Sequence, residues 1–289
     1  MLLDDIKNVL TFTAFRPDAD DPDLAWSKRF TGRRSLLLNV SRSHTSWRGI
    51  DRKGRMQESG AQEGDFGDVT VSRVDEWRAG SEGGWCACSV NQRFIISLEN
   101  NLPRRDNGTE MLRSNPKVVL GAKYDRSKRY AMYHHPYTAS TLLLACEDAM
   151  VKLVEETLRG NGLKAGRICC GLFAMMEDAL RQIYTQNLPE ARGNFLLVAM
   201  CESSIAALVQ LDGAWKDLRC RSGLGMESVE PMLQIIGPLA SKITAGTPVY
   251  FVHDGINEKL AGQMMEQLAS VEAKDLSGPD YLWRLMSEN

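Results

Sequence analysis

Two stretches of this chain read alike: LLLNVSRSHTSWRGIDRKGR at 36–55 and FLLVAMCESSIAALVQLDGA at 195–214. Each reads as a first apolar strand, a short polar link, a second strand and a turn carrying glycine, the pattern of a β-hairpin. Laid over one another without a gap, they bring Gly54 onto Gly213, an offset of 213 − 54 = 159. A unit that recurs at long spacing restricts the architecture more than any local propensity does. Strand and helix patterns follow both copies, so the expected fold is α/β with two pseudo-repeated halves.

The pattern around the first hairpin is β-rich. SLLLNV, TSWRGI and RMQES read as strands, with DRKG as the turn between the last two. VSRVDEWRA reads as a short helix, WCACSV and RFIISL as strands, and KVVLGAKYD and RYAMYHHPYT as further strands. A long helix is expected from Ser140, a serine N-cap, through TLLLACEDAMVKLVEETLRG to Gly160 and Gly162. GRICCG then reads as a buried strand and LFAMMEDALRQIYTQ as a helix. In the second half FLLVAM, SIAALVQL and WKDLRCR form a three-strand meander. A helix follows from Glu230 to Thr244, bent at Gly237-Pro238, then the strand PVYFVHD and the helix NEKLAGQMMEQLAS.

This divides the chain into an extension at 1–34, a first half at 35–190 and a second half at 191–289. The first half carries an inserted small subdomain at about 66–136. The extension joins a weakly amphipathic opening, the acidic PDADDPD and the basic KRFTGRR. It reads as a docking arm or a mobile tail.

Composition excludes several classes. At 289 residues, 43% hydrophobic and 25% charged, the chain is neither disordered nor fibrous. A net charge of −2 gives no broad positive field for nucleic acid. Arg33-Arg34, Arg104-Arg105 and the cluster from Arg126 to Arg129 read as solvated surface. No run of about 18 apolar residues marks a membrane span, and no secretory signal opens the chain. Seven cysteines without a framework fit a reducing compartment, so a cytoplasmic protein is expected. Cys86-Ala87-Cys88 and Cys169-Cys170 read as small buried residues, not a zinc clip.

Other residues have quiet readings. His134 and His135, adjacent on a strand, face opposite sides and do not share one metal. Glu147, Asp148, Glu155 and Glu156 read as a solvated helix face, and Met175, Met176, Met264 and Met265 as helix core or as an adaptable binding surface. Trp47, Trp77, Trp85 and Trp215 read as buried aromatics or as interface anchors. No phosphate-binding loop of the G-x-x-x-x-G-K-[ST] kind, no G-x-G-x-x-G and no G-x-S-x-G occurs in a fitting context. SGLGME at 222–227 reads as a loop, or as an anion contact before a helix.

The duplicated meander resembles the actin-like, ribonuclease-H-like fold. The passage STLLLACEDAMVKLVEETLRGNGLKAGRICCGLFAMMEDALRQIY at 140–184 resembles a particular group within it. It is similar to the actin-like assembly proteins of type IV pili and the cytoplasmic domains of type II secretion platforms. The matching pieces are Gly162-Leu163, RICC and FAMMEDAL, leading into the second hairpin. The resemblance covers about 35 to 255 in outline.

It implies an ATP site between the halves, built on two hairpin links and an adenosine turn. The first link supplies Ser41, Arg42 and Ser43, the second Glu202, Ser203 and Ser204, and the turn Asp254 and Gly255. Phosphate needs converging N–H groups and close approach, which glycine permits. Both hairpin links lack glycine, and the Glu202 carboxylate repels phosphate unless a metal intervenes. These eight residues are therefore expected to form a vestigial nucleotide site, with no cofactor and no enzymatic activity. The alternative is a working actin-like ATP-binding protein or kinase relative, taking ATP with magnesium.

The resemblance also implies a cytoplasmic scaffold, peripheral at the inner membrane. It would bind the cytoplasmic tail of a membrane assembly protein, and a second copy of itself, through a groove or sheet edge in the first half.

Overall fold

The computed structural model describes residues 32–100, 102, 111–112, 115–185, 192–225 and 228–287. The expected extension lies outside these residues as far as residue 31. Among the described residues no helix is long and apolar enough to cross a membrane.

The first large sheet is built on β1 (Ser35–Val40), β2 (His44–Ile50), β3 (Met56–Glu63), β4 (Trp85–Val90) and β8 (Lys164–Cys169). Its order is β3-β2-β1-β4-β8, with β1 and β2 antiparallel and β1, β4 and β8 parallel. The second uses β9 (Phe195–Cys201), β10 (Ser204–Leu211), β11 (Ala214–Arg221), β12 (Val249–His253) and β13 (Lys274–Asp275). Its order is β11-β10-β9-β12-β13, again a meander continued by parallel strands. The same order occurs twice, so the chain is an α/β protein of two pseudo-repeated halves. Residues 35–40 and 195–201 are buried along their whole length, as strands covered on both faces must be.

The register corrects the offset of 159. Leu36, Leu38 and Val40 join the outer cluster of the first half with Trp77, Val154 and Leu158. Leu37 faces the opposite way, into a layer it shares with Leu197 and Ala199 of β9. Leu196, Val198 and Met200 face the outer cluster of the second half. An odd offset would exchange these faces, because strand side chains alternate. The paired residues settle it at 160: Val40 opposes Thr45, and Met200 opposes Ile205. Gly54 and Gly213 do not correspond, since residues 51–55 separate β2 from β3 but only 212–213 separate β10 from β11. Both glycines adopt the left-handed conformation their turns require, at φ 77° and 71°.

Helices cover the outer faces. α1 (Phe66–Gly80) supplies Trp77 to the first outer cluster, and is longer than the short helix expected from VSRVDEWRA. Between β4 and α3 (Asp148–Gly160) lies a small antiparallel sheet of β5 (Phe94–Glu99), β7 (Thr141–Glu147) and β6 (Lys128–His134), in that order. The helix expected from Ser140 therefore begins at Asp148, and TLLLACE is the central strand of this sheet. KVVLGAKYD also differs: α2 (Pro116–Leu120) starts on Pro116, whose fixed φ suits the first helical turn, and ends at Gly121 with φ 55°.

The acidic helix face is corrected as well. Arg129 Nε donates to Asp148 Oδ1 at 2.7 Å, and its Nη1 and Nη2 to Glu155 at 2.9 and 3.1 Å. Those carboxylates tie α3 to the small sheet rather than simply meeting solvent.

On the second half α5 (Glu230–Ala240) and α6 (Glu258–Leu268) supply Met232, Ile236, Leu260 and Met264 to the outer cluster. Two helices fill the shared layer: α4 (Gly171–Thr185) and α7 (Tyr281–Ser287). α7 packs back on β1, β4 and α4, so the second half reaches into the first. Arg48 pairs with Asp280, and Tyr281 Oη donates to Asp178 Oδ2 at 2.7 Å.

Candidate functional site

The hairpin links meet where the two halves adjoin. Ser41 closes the first link on itself, its N and Oγ both donating to His44 O at 3.0 Å. Ser41 is buried, while Arg42 and Ser43 stay exposed. The second link turns at Glu202, held in the left-handed region at φ 45°, where a non-glycine residue is uncommon. Its N–H donates to Asp254 Oδ2 at 2.6 Å, which ties the second link to the turn after β12.

The Glu202 side chain is buried, and it points its charge into the first half. Oε1 accepts from Ser46 Oγ at 3.3 Å and lies 3.4 Å from His44 Nδ1. Beside it, Ser204 Oγ donates to Asn91 O at 3.0 Å. Glu202, Ser204 and Asp254 thus come together, whereas Arg42 and Ser43 take no part in the contact. Gly255, at φ 78°, lies beside the start of α7: an added Cβ would make ordinary contact, 3.5 Å, with the backbone nitrogens of Asp280 and Tyr281.

Asn91, Ser46 and Gly171 complete the junction and were not singled out from the sequence. Asn91 Nδ2 donates to Ser89 Oγ at 3.0 Å and to Asn39 Oδ1. A Cβ on Gly171 would stand 2.4 Å from Ser89 Oγ, 2.9 Å from Asn91 Oδ1 and 3.1 Å from Cys201 Sγ. Alanine here would have to displace the Ser89 hydroxyl and the Asn91 amide, so glycine alone opens α4 without disturbing that network. Gly171→Ala is expected to lower stability by about 1–3 kcal/mol, read from the urea midpoint, as over-packing of a closed site does. The signal available in the sequence was a glycine directly after the buried strand RICC.

The electrostatics follow from burial. Burial pushes the Asp254 carboxyl up to about 6, and the neighbouring Glu202 charge adds to the rise. The contact with Glu202 raises the pKa of His44 in spite of its partial burial. Burial acts to lower that of His253, but the Asp275 carboxylate 3.4 Å away outweighs it and the net shift is upward. Burial drives the thiols of Cys170 and Cys201 well above their usual range, so neither is a ready thiolate nucleophile. Among the described residues no group of three His, Cys, Asp or Glu is placed to hold a metal ion. The junction holds a buried carboxylate hydrogen-bonded across the two sheets, from Ser46 of β2 to Glu202 after β9.

No protein-family model and no curated protein matches the chain. Solved structures do. The PilM-PilN type IV pilus biogenesis complex is similar at 12% identity over 87% of this chain and 89% of that one, with a TM-score of 0.52. A Bacteroides thetaiotaomicron protein of actin-like ATPase fold and unknown function is similar at 8% identity over 91% and 97%, with a TM-score of 0.50. The cytoplasmic domain of EpsL, an inner-membrane component of the Vibrio cholerae type II secretion system, follows at 9% over 76% and 82%, with a TM-score of 0.46. At such identities the likeness is one of fold. The two meander-led sheets, their shared helical layer and the two neighbours with TM-scores of 0.50 and 0.52 together establish that the chain has the actin-like fold.

Proposed function

We propose that this protein is a scaffold of an inner-membrane assembly machine, of type IV pilus or type II secretion kind, and that its nucleotide site has been converted into a structural joint. The carrying observation is the buried Glu202 carboxylate bonded to Ser46 and set against His44. In an actin-like nucleotide site the space between the two links belongs to phosphate. Here a side-chain anion occupies the meeting point, and its charge would repel a phosphate placed beside it. Working as a cytoplasmic protein held at the membrane through its partners, it would bind the cytoplasmic tail of a membrane assembly protein and a second copy of itself. The similarity to a pilus biogenesis complex supports this reading at the level of fold, and fold alone does not fix function.

The test is thermal unfolding with and without magnesium and ATP. A site with micromolar affinity in millimolar ligand would stabilise the chain by about 4 kcal/mol. The expected midpoint is unchanged. A rise of several degrees would establish instead a working ATP-binding protein. Isolation of the chain with a membrane protein, lost when that protein's cytoplasmic tail is deleted, is the expected outcome for the partner.

A further inference from the structure

At the end of the first sheet away from the junction, the fold gathers cations from four segments of the chain. β1, β4 and β8 run parallel, so their first residues lie together, and antiparallel β2 finishes beside them. α1 and α3 end there too. Glu82 N donates to Arg34 O at 2.8 Å, and Arg78 Nε of α1 donates to Asn161 O, just past α3, at 2.8 Å. Trp85, which opens β4, stands opposite Lys164, which opens β8. A strand of six residues, about 20 Å, separates this end from the hairpin links.

The segments that meet are 33–34, 51–55, 77–85 and 157–164. They carry eight arginines and lysines against two carboxylates, Asp51 and Glu82, a net of 8 − 2 = +6 in a chain whose total is −2. All eight cations are exposed. The two carboxylates hold the surface in shape. Asp51 Oδ1 accepts from the N–H groups of Lys53 and Arg55 at 2.8 and 2.9 Å, which fixes the turn. Glu82 Oε1 accepts from Arg34 Nε at 3.4 Å and from Arg52 Nε at 2.6 Å. Those two arginines stay 52% and 69% exposed, and such surface pairs hold weakly.

Structural duty accounts for few of these charges. Arg78 and Arg159 lie in the last turns of α1 and α3, where a cation offsets the helix dipole. The others stand on strand ends and a turn, which have no such dipole to offset. The surface is broad: from β2 to β8 is three strand intervals, about 14 Å, with the helix ends alongside. Trp85 is half-buried within it, and Lys164 Nζ lies 5.2 Å from its ring centre. An indole with an ammonium beside it suits the boundary between water and lipid. Single cations spread over a face match a layer of anionic headgroups better than they match one bound ligand.

We propose that this end of the first half docks directly on an anionic lipid surface, with Arg33, the turn at 51–55 and the ends of α1 and α3 against the headgroups. The junction, at the other end of the sheet, then faces away from the membrane. This goes beyond attachment through a partner, because the chain meets the membrane by itself.

Co-sedimentation of the whole chain with vesicles, no partner present, tests it. Phosphatidylcholine vesicles with and without phosphatidylglycerol separate charge from lipid as such, and added salt should weaken the binding by screening. Two triple variants remove the same charge from different places: Arg33→Gln, Lys53→Gln and Arg159→Gln at this end, and Lys216→Gln, Arg219→Gln and Arg221→Gln on β11. Binding to the phosphatidylglycerol vesicles that falls about tenfold or more in the first triple and stays native in the second supports the proposal. Should the first triple lower the unfolding midpoint, Lys53→Glu alone, in an exposed turn, decides the matter by a loss of about threefold. No binding to the anionic vesicles, an equal loss in both triples, or preference for single-stranded RNA at equal phosphate overturns it. Because no partner is present, such a failure leaves the proposed attachment through a partner standing.

Discussion

Gln210→Leu is expected to destabilise the protein by about 3–5 kcal/mol, because one buried amide holds three elements together. Gln210 Oε1 accepts from Tyr184 Oη at 2.7 Å and faces His135 Nε2 at 3.1 Å, while its Nε2 donates to Gly193 O at 3.0 Å. His135 Nδ1 accepts from the N–H groups of Tyr137 and Thr138, both at 3.0 Å. The ring proton is thereby placed on Nε2, which donates to Gln210. Tyr184 Oη in turn accepts from Trp215 Nε1 at 2.8 Å.

The knot joins the end of β6, helix α4 and strands β10 and β11, with His135 packed edge-on against Tyr184 and Trp215. Leucine fills the volume but leaves a buried imidazole N–H, a phenol and a carbonyl with poorer partners. Each such loss costs about 1–3 kcal/mol. Urea unfolding followed by circular dichroism measures the total. Tyr184→Phe is expected to lose about 1–2 kcal/mol, and a loss below 1 kcal/mol for Gln210→Leu would show the knot to be incidental.

The duplication was legible because its two hairpins are long apolar runs around short polar links, a pattern that survives great divergence. Its register was not. β1 and β9 are buried on both faces, so neither carries the apolar–polar alternation that reveals parity, and an offset wrong by one residue looked as good as the true one.

TLLLACE failed for a related reason. An unbroken apolar run does not distinguish strand from helix, and the helical spacing of Met150, Val151, Val154 and Leu158 begins only after it. At the site, the chemistry of Glu202 was visible from its link, but its partners were not. Ser46 lies 156 residues away, and the Ser204–Asn91 contact spans 113. Such pairings are set by how two sheets dock, which no local pattern records. The same is true of Arg42, whose exposure beside the closed junction shows only once the halves are in place.

Stability is expected to fall as pH rises from 5 to 8, and Glu202→Gln is expected to flatten that dependence. Asp254 carries a folded pKa of about 6 against an ordinary 3.8, raised by burial first and by Glu202 second. A carboxyl raised on folding holds its proton more tightly in the native state. Its contribution is complete below about pH 4 and is lost as pH climbs through 6. Raising that carboxyl from 3.8 to about 6 corresponds to roughly 3 kcal/mol across pH 4 to 6, of which about half falls above pH 5.

His44, raised by its contact with Glu202, acts in the same direction at higher pH. Its contribution is present below 6.5 and disappears as pH passes its elevated folded value. Burial acts to lower His253, but the Asp275 carboxylate raises it on balance, so it adds a third contribution of the same sign. Asp275, held low by His253 and Ser277 despite burial, opposes them only in acid, below its ordinary range.

Glu202 is the common element: its charge raises Asp254 and its carboxylate raises His44. Glutamine keeps the shape and still accepts from Ser46, so the junction should stay assembled while the contributions of Asp254 and His44 shrink. Urea midpoints at pH 5, 6, 7 and 8 for both chains would measure this. A slope as steep in Glu202→Gln as in the native chain would place the titration elsewhere and remove the joint's electrostatic role.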